Sequence, residues 1–168
     1  LASCTALTEL DVSHNAIGSL SGVESLSNLV ILSAGYNSLT EADLLASLTN
    51  LAELTLSNNT LLDISSLSSL VKLQYLDFSH NEIETLPQWS ADCALVHING
   101  AYNKLTTVDS LAGYGQLNTV IMDYNSDIKS VDALASCPYL IRVDVSGTSV
   151  KDVSKLTEQS IIVNYTPA

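Results

Sequence analysis

One asparagine recurs along this chain at a constant interval. Asn15, Asn37, Asn59, Asn81, Asn103 and Asn125 are each 22 residues apart. Each closes a run of the form LxxLxLxxN: LTELDVSHN, LVILSAGYN, LAELTLSNN, LQYLDFSHN, LVHINGAYN and LNTVIMDYN. A seventh run, LIRVDVSGT, starts at Leu140 and has Thr148 in the asparagine place. A unit this short cannot enclose its own apolar side chains, so the units must bury them against one another in a stacked solenoid.

Counting the first Leu of each unit as position one, positions four and six are apolar and alternate with polar neighbours. They are Leu10/Val12, Leu32/Ala34, Leu54/Leu56, Leu76/Phe78, Ile98/Gly100, Val120/Met122 and Val143/Val145. A period of two is that of a strand, so each unit supplies one strand. Equivalent strands joined by crossovers of this length pair in parallel, with right-handed connections. After the asparagine, apolar residues return every third place, as in Ile17, Leu20, Val23 and Leu26. That spacing suits 3₁₀ or irregular backbone on the convex side better than an α-helix. The expected fold is therefore an α/β solenoid, a right-handed horseshoe with one parallel strand per repeat. It forms one domain over 1–168, with repeats starting near 7, 29, 51, 73, 95, 117 and 140 and partial units at both ends.

The asparagines have a structural task. Where each strand turns onto the convex side, backbone groups are buried without a strand partner, and a primary amide can donate and accept there. Thr148 offers only a hydroxyl, so this ladder weakens toward the C-terminus. The sixth unit carries one extra residue, because Asp127 stands where an apolar residue belongs and Ile128 resumes the pattern one place late; a bulge after Asn125 accounts for it. In the fourth unit Asp92 falls on the apolar position twenty with Cys93 beside it, and Pro87 precedes Trp89, which implies a reshaped segment; Trp89 itself keeps the apolar position seventeen and is expected in the core.

With 46% hydrophobic residues the chain has material for a continuous core, and no apolar run approaches the roughly 20 residues of a membrane span. Eighteen acidic against six basic side chains give a net charge of −12, which repels nucleic acid and anionic lipid.

With the register fixed, the chain resembles leucine-rich-repeat proteins of the short, 22-residue class over almost its whole length. Segments such as NTLLDISSLSSLVKLQYL and SGTSVKDVSKL resemble repeats of the internalins and related bacterial surface proteins. That resemblance implies a non-catalytic module that binds a partner on its concave sheet, in an extracellular or cell-surface setting. The same repeat length also resembles an intracellular regulatory subunit of serine/threonine phosphatases, which would place the chain in the cytoplasm as a scaffold; a structural spacer is a third reading. The opening LASCTAL matches the tail of a repeat, and Ile161 and Val163 form a last strand. Neither end reads as a polar cap, so a longer solenoid is expected.

Positions three, five and seven are expected on the concave face, with position eight at its rim. Position three gives Glu9, Glu53, Tyr75 and His97 among others, and position five gives Asp11 and Asp77. Position seven is mostly small but holds Asp123, and position eight reads His14, Tyr36, Asn58, His80, Tyr102, Tyr124 and Gly147. The ring column at position eight offers apolar area with polar edges, suited to protein or glycan recognition. The acids Glu9, Asp11, Glu53, Asp77, Asp123 and Asp144 face a single base, Arg142, which favours a partner with a basic surface. The plainer account is that the rings pack on each other and the acids serve solubility.

Catalysis finds no support. His14, His80 and His97 lie on separate strands, no nucleophile sits in a recognisable elbow, and an Asp77–His97 hydrogen bond on an open face would lack the burial that tunes an acid or base. The run from Asp123 to Asp127 imitates the start of a calcium loop without its glycine and terminal glutamate, so no metal or cofactor is expected. The sequons at Asn58 and Asn164 are explained by chance. The cysteines are also expected free. Cys4 and Cys137 are six repeats apart, about 25 to 30 Å, and Cys93 is two repeats from Cys137, about 10 Å. A disulfide requires Cα atoms within about 7 Å. Cys4 and Cys137 are expected as small core residues.

Overall fold

The structure, a computed structural model, describes residues 3–166. Eight short strands form one parallel sheet in sequence order: β1 (Glu9–Asp11), β2 (Ile31–Ser33), β3 (Glu53–Thr55), β4 (Tyr75–Asp77), β5 (His97–Asn99), β6 (Thr119–Ile121), β7 (Arg142–Asp144) and β8 (Ile162–Asn164). The register is that of the repeat, with Leu32 opposite Leu54, Leu54 opposite Leu76 and Leu76 opposite Ile98. This is the leucine-rich-repeat solenoid, and β8 is the last strand read from Ile161 and Val163.

The returning side is irregular backbone with short 3₁₀ segments at Val23–Ser25, Asp43–Ser47, Ser65–Ser69, Asp109–Leu111 and Asp132–Ser136. One α-helical turn, α1 (Ser154–Thr157), precedes β8. The fourth repeat has no such helix. There Trp89 is buried beneath the irregular segment, its indole N–H donating to Leu67 O at 2.8 Å. The Tyr114 hydroxyl donates to the Trp89 backbone carbonyl at 3.2 Å and its ring meets the indole edge-on, so both neighbouring repeats hold this residue.

Leucines of successive repeats stack into one apolar column, from Leu20 and Leu29 through Leu54 and Leu76 to Val143 and Leu156. Volume is matched between neighbours. Phe78 occupies position six of the fourth repeat, and a Cβ on Gly100, position six of the fifth, would collide with its ring. Burial is incomplete in the first repeat, where Leu7, Leu10, Val12 and Ile17 are only partly covered because β1 pairs on one side alone. Cys4 is exposed for the same reason, contrary to its expected core role, whereas Cys93 and Cys137 are buried; all three are free thiols.

The asparagine ladder is built as the spacing requires. Asn81 Nδ2 donates to Leu56 O, Phe78 O and Ser79 O, and its Oδ1 accepts from Leu61 N. Asn37, Asn59, Asn103 and Asn125 repeat this pattern. The ladder stops at Thr148, whose hydroxyl donates only to Val145 O within its own repeat. The extra residue acts here too: Ile128 N, which an asparagine at 148 would otherwise satisfy, donates to Asn125 O at 3.2 Å inside the bulge.

Candidate functional site: the concave face and its ring-bearing rim

The rim follows from an unusual backbone. His14, Tyr36, Asn58, His80, Tyr102 and Tyr124 all have φ of 55 or 56°, and Gly147 has 71°. This left-handed region costs a non-glycine residue roughly 1–2 kcal/mol. The solenoid holds it in place because the position-eight N–H of each of the first six repeats donates to the position-seven carbonyl of the next repeat, as in Tyr36 N to Ser57 O at 2.8 Å and Tyr102 N to Asp123 O at 2.8 Å. Spacing alone does not reveal this conformation. The asparagine and glycine in the column, two residue types that adopt it readily, were the available signal.

Identical backbone aims the side chains alike, and the rings stack. His14 lies on Tyr36 with centroids 4.3 Å apart and planes 13° from parallel. His80, Tyr102 and Tyr124 form a second stack, with steps of 4.2 and 4.3 Å. Tyr124 ends it by lying over Gly147, where an added Cβ would come within 2.8 Å of the ring. The outer edges stay in solvent, with Tyr36, Tyr102 and Tyr124 52%, 44% and 54% exposed. The rings therefore pack on one another and also present a surface.

On the sheet itself Tyr75 and His97 stack across β4 and β5, 4.8 Å apart and within 8° of parallel. Burial raises the Tyr75 hydroxyl pKa, with Asp77 and Glu53 adding to it. Burial lowers that of His97, against an opposing pull from Asp77. Among the described contacts Asp77 and His97 form no hydrogen bond: the imidazole pairs with a ring, and the carboxylate has another partner.

That partner shows how most of the face's acids are used. Asp77 accepts from the backbone N–H and hydroxyl of Ser79, at 2.9 and 2.7 Å, and Asp11 holds Ser13 in the same way. Asn99 does this for Ala101 N. Asp123 accepts from Ser146 N at 2.7 Å, and burial raises its pKa. Asp144 is buried beneath a two-pronged bridge from Arg142 and also accepts from Asn164. Glu9 and Glu53 alone project as exposed carboxylates without such a partner. Position seven is not a concave column, since Gly35, Ser57, Ser79 and Ala101 are buried beneath their neighbours. A Cβ on Gly35 would meet Ser57 Oγ at 3.0 Å, which explains the small residues there.

Of the candidate residues, the structure thus gathers Glu9, Asp11, Glu53, Tyr75, Asp77 and His97 on the sheet and His14, Tyr36, His80, Tyr102 and Tyr124 on the rim, with Asp123 half-buried between them.

Family models for leucine-rich repeats match residues 49–91, as two copies, and residues 3–27. No curated protein matches the chain significantly in sequence. Its structure is similar to the functional domain of InlJ from Listeria monocytogenes, which is described as including a cysteine ladder (25% identity, TM-score 0.79). That likeness covers 98% of this chain but 37% of the InlJ domain. Internalin C2 of the same species is similar at 28% identity and TM-score 0.72, over 95% of this chain and 80% of that one. A leucine-rich-repeat protein of Leptospira interrogans shares the fold at 22% identity and TM-score 0.84, over 97% and 45% of the two chains. From its repeat, its sheet and these likenesses, the chain carries leucine-rich repeats in a solenoid that is internalin-like in repeat and fold.

Proposed function

We propose that the chain is a non-catalytic binding module of a bacterial surface or secreted protein, and that it takes a protein partner with a basic surface on the concave face and its ring-bearing rim. A glycan is the other ligand class the exposed rings suit. One observation carries the reading. In repeats two to four, positions three, five and eight present Glu53, Asp77, Tyr36, Tyr75 and His80 with no lysine or arginine among them. A face of one sign, lined by rings with wet edges, raises the encounter rate of an oppositely charged protein and supplies contact area once it docks. The likeness to internalins supports the same reading and the surface setting.

The test is site-resolved photo-cross-linking, with the reactive group at Tyr75 on the sheet or at exposed Leu62 on the opposite side. Capture of one protein from Tyr75 alone is the expected result, with an association rate that falls as salt screens the field over a Debye length of about 8 to 10 Å. Equal capture from Leu62, or a rate indifferent to salt, would overturn the assignment.

A further inference from the structure

The rim stack has a gap. Rings occupy position eight in repeats one, two, four, five and six, and Asn58 interrupts them in repeat three. Its backbone matches theirs, with φ of 55° and Asn58 N donating to Ser79 O at 2.9 Å. The short amide therefore leaves the same place in the row as a tyrosine would. The walls of the gap are the free faces of Tyr36 and His80, whose other faces are covered by His14 and Tyr102. Two strand steps separate them, about 9 to 10 Å. Each occupied step in the row measures 4.2 to 4.3 Å between centroids, so one planar group placed midway meets a ring on both sides at about the stacking distance already used by this protein. The Asn58 side chain, at the floor, makes no hydrogen bond to another described residue and stays half-exposed.

We propose that this slot is a binding subsite for the guanidinium group of an arginine side chain on a protein partner. It rests on the binding reading above and names what the rim recognises. A guanidinium is flat, so it can offer one face to Tyr36 and the other to His80, and cation–π attraction adds to stacking. Its N–H edge can donate to Asn58 Oδ1, which accepts. Charge points the same way. The strands bearing the slot carry Glu53 and Asp77, the nearest lysine along the rim, Lys104, is engaged by Glu82 at 3.0 Å, and Lys72 is held by Asn50 at the opposite end of the strand. A lysine ammonium has no faces to stack. A tyrosine ring would stack but leave the charge unanswered.

The experiment is an NMR titration of the full chain with N-acetyl-arginine amide, following the ring protons of Tyr36 and His80 and the side-chain amide of Asn58. N-acetyl-lysine amide, N-acetyl-tyrosine amide and methyl glucoside serve as comparators. The expected result is a saturable shift of those three residues with the arginine amide, and binding of the lysine amide at least about fivefold weaker. Asn58→Tyr should fold, because tyrosine holds this backbone in three other repeats, and should abolish the response by completing the row. Should that variant not fold, Tyr36→Leu removes one wall and should also lose the shift. Equal shifts with the lysine amide, preference for the tyrosine amide or the glucoside, or an undiminished response in both variants would overturn the slot. Capture at Tyr75 with no arginine response sinks the slot and leaves the binding module standing. An arginine response without capture at Tyr75 does the reverse.

Discussion

His97 shows how a single side chain on this face carries more than one role. Its imidazole is stacked on Tyr75 and partly withdrawn from water, and burial depresses its pKa below the ordinary 6.5. The unfolded chain therefore binds the proton more readily than the folded one, so this group's contribution to stability is present above about pH 6.5 and is lost as pH falls through the lower folded value. Denaturant titrations from pH 7.5 to 5 should show stability falling with acid, and His97→Phe, which keeps a ring on Tyr75, should flatten that slope. An unchanged slope would remove His97 as its source. The depressed carboxyls of Asp11, Asp63 and Asp152, held by hydrogen bonds from serines two residues on, act in a separate window below about pH 3.8. The thiols give a second residue-scale expectation. A mass count of alkylated thiols should rise from one in the native protein, at exposed Cys4, to three after denaturation without reductant.

At the scale of the element, the turn after each strand matters more than the strand, which is only three residues long. One asparagine there satisfies backbone groups of two repeats, so Asn81→Ala should cost about 1–3 kcal/mol for each buried group it strands, read from denaturant midpoints. The sixth repeat allows a sharper test. Thr148→Asn alone should change stability by less than about 0.5 kcal/mol, because Ile128 N is already committed to Asn125 O. Deleting Asp127 restores the 22-residue interval, and combined with Thr148→Asn it should stabilise beyond the sum of the two changes by at least about 0.5 kcal/mol, the mark of coupled sites. Additive effects would show that the bulge and the broken ladder are unrelated. Both features were legible from the sequence as one surplus residue and one missing amide; their connection through Ile128 was not, because it depends on where a single N–H points.

For the whole molecule, each repeat is stabilised by its neighbours, so the cost of a core deletion depends on its place along the stack. Leu76→Ala, fully buried between β3 and β5, should cost about 2–5 kcal/mol by transfer and cavity terms, and Leu10→Ala, covered on one side, clearly less by the same measurement. Equal losses would mean that the first repeat is as closed as the fourth. The 22-residue interval alone determined the parallel strands, their order and register, the apolar column and the asparagine ladder, because a strict period leaves one way to stack identical apolar stripes. It also placed the rings and acids on one side. What only the tertiary structure decided is how those side chains are spent: Asp11, Asp77, Asp123 and Asp144 turn to neighbouring N–H groups, hydroxyls or Arg142, position seven is buried rather than displayed, and the rim adopts a left-handed backbone that aligns its rings and leaves a gap at Asn58. Period and polarity set which face a residue takes. Its partners depend on side-chain geometry between repeats, which a one-dimensional pattern does not contain.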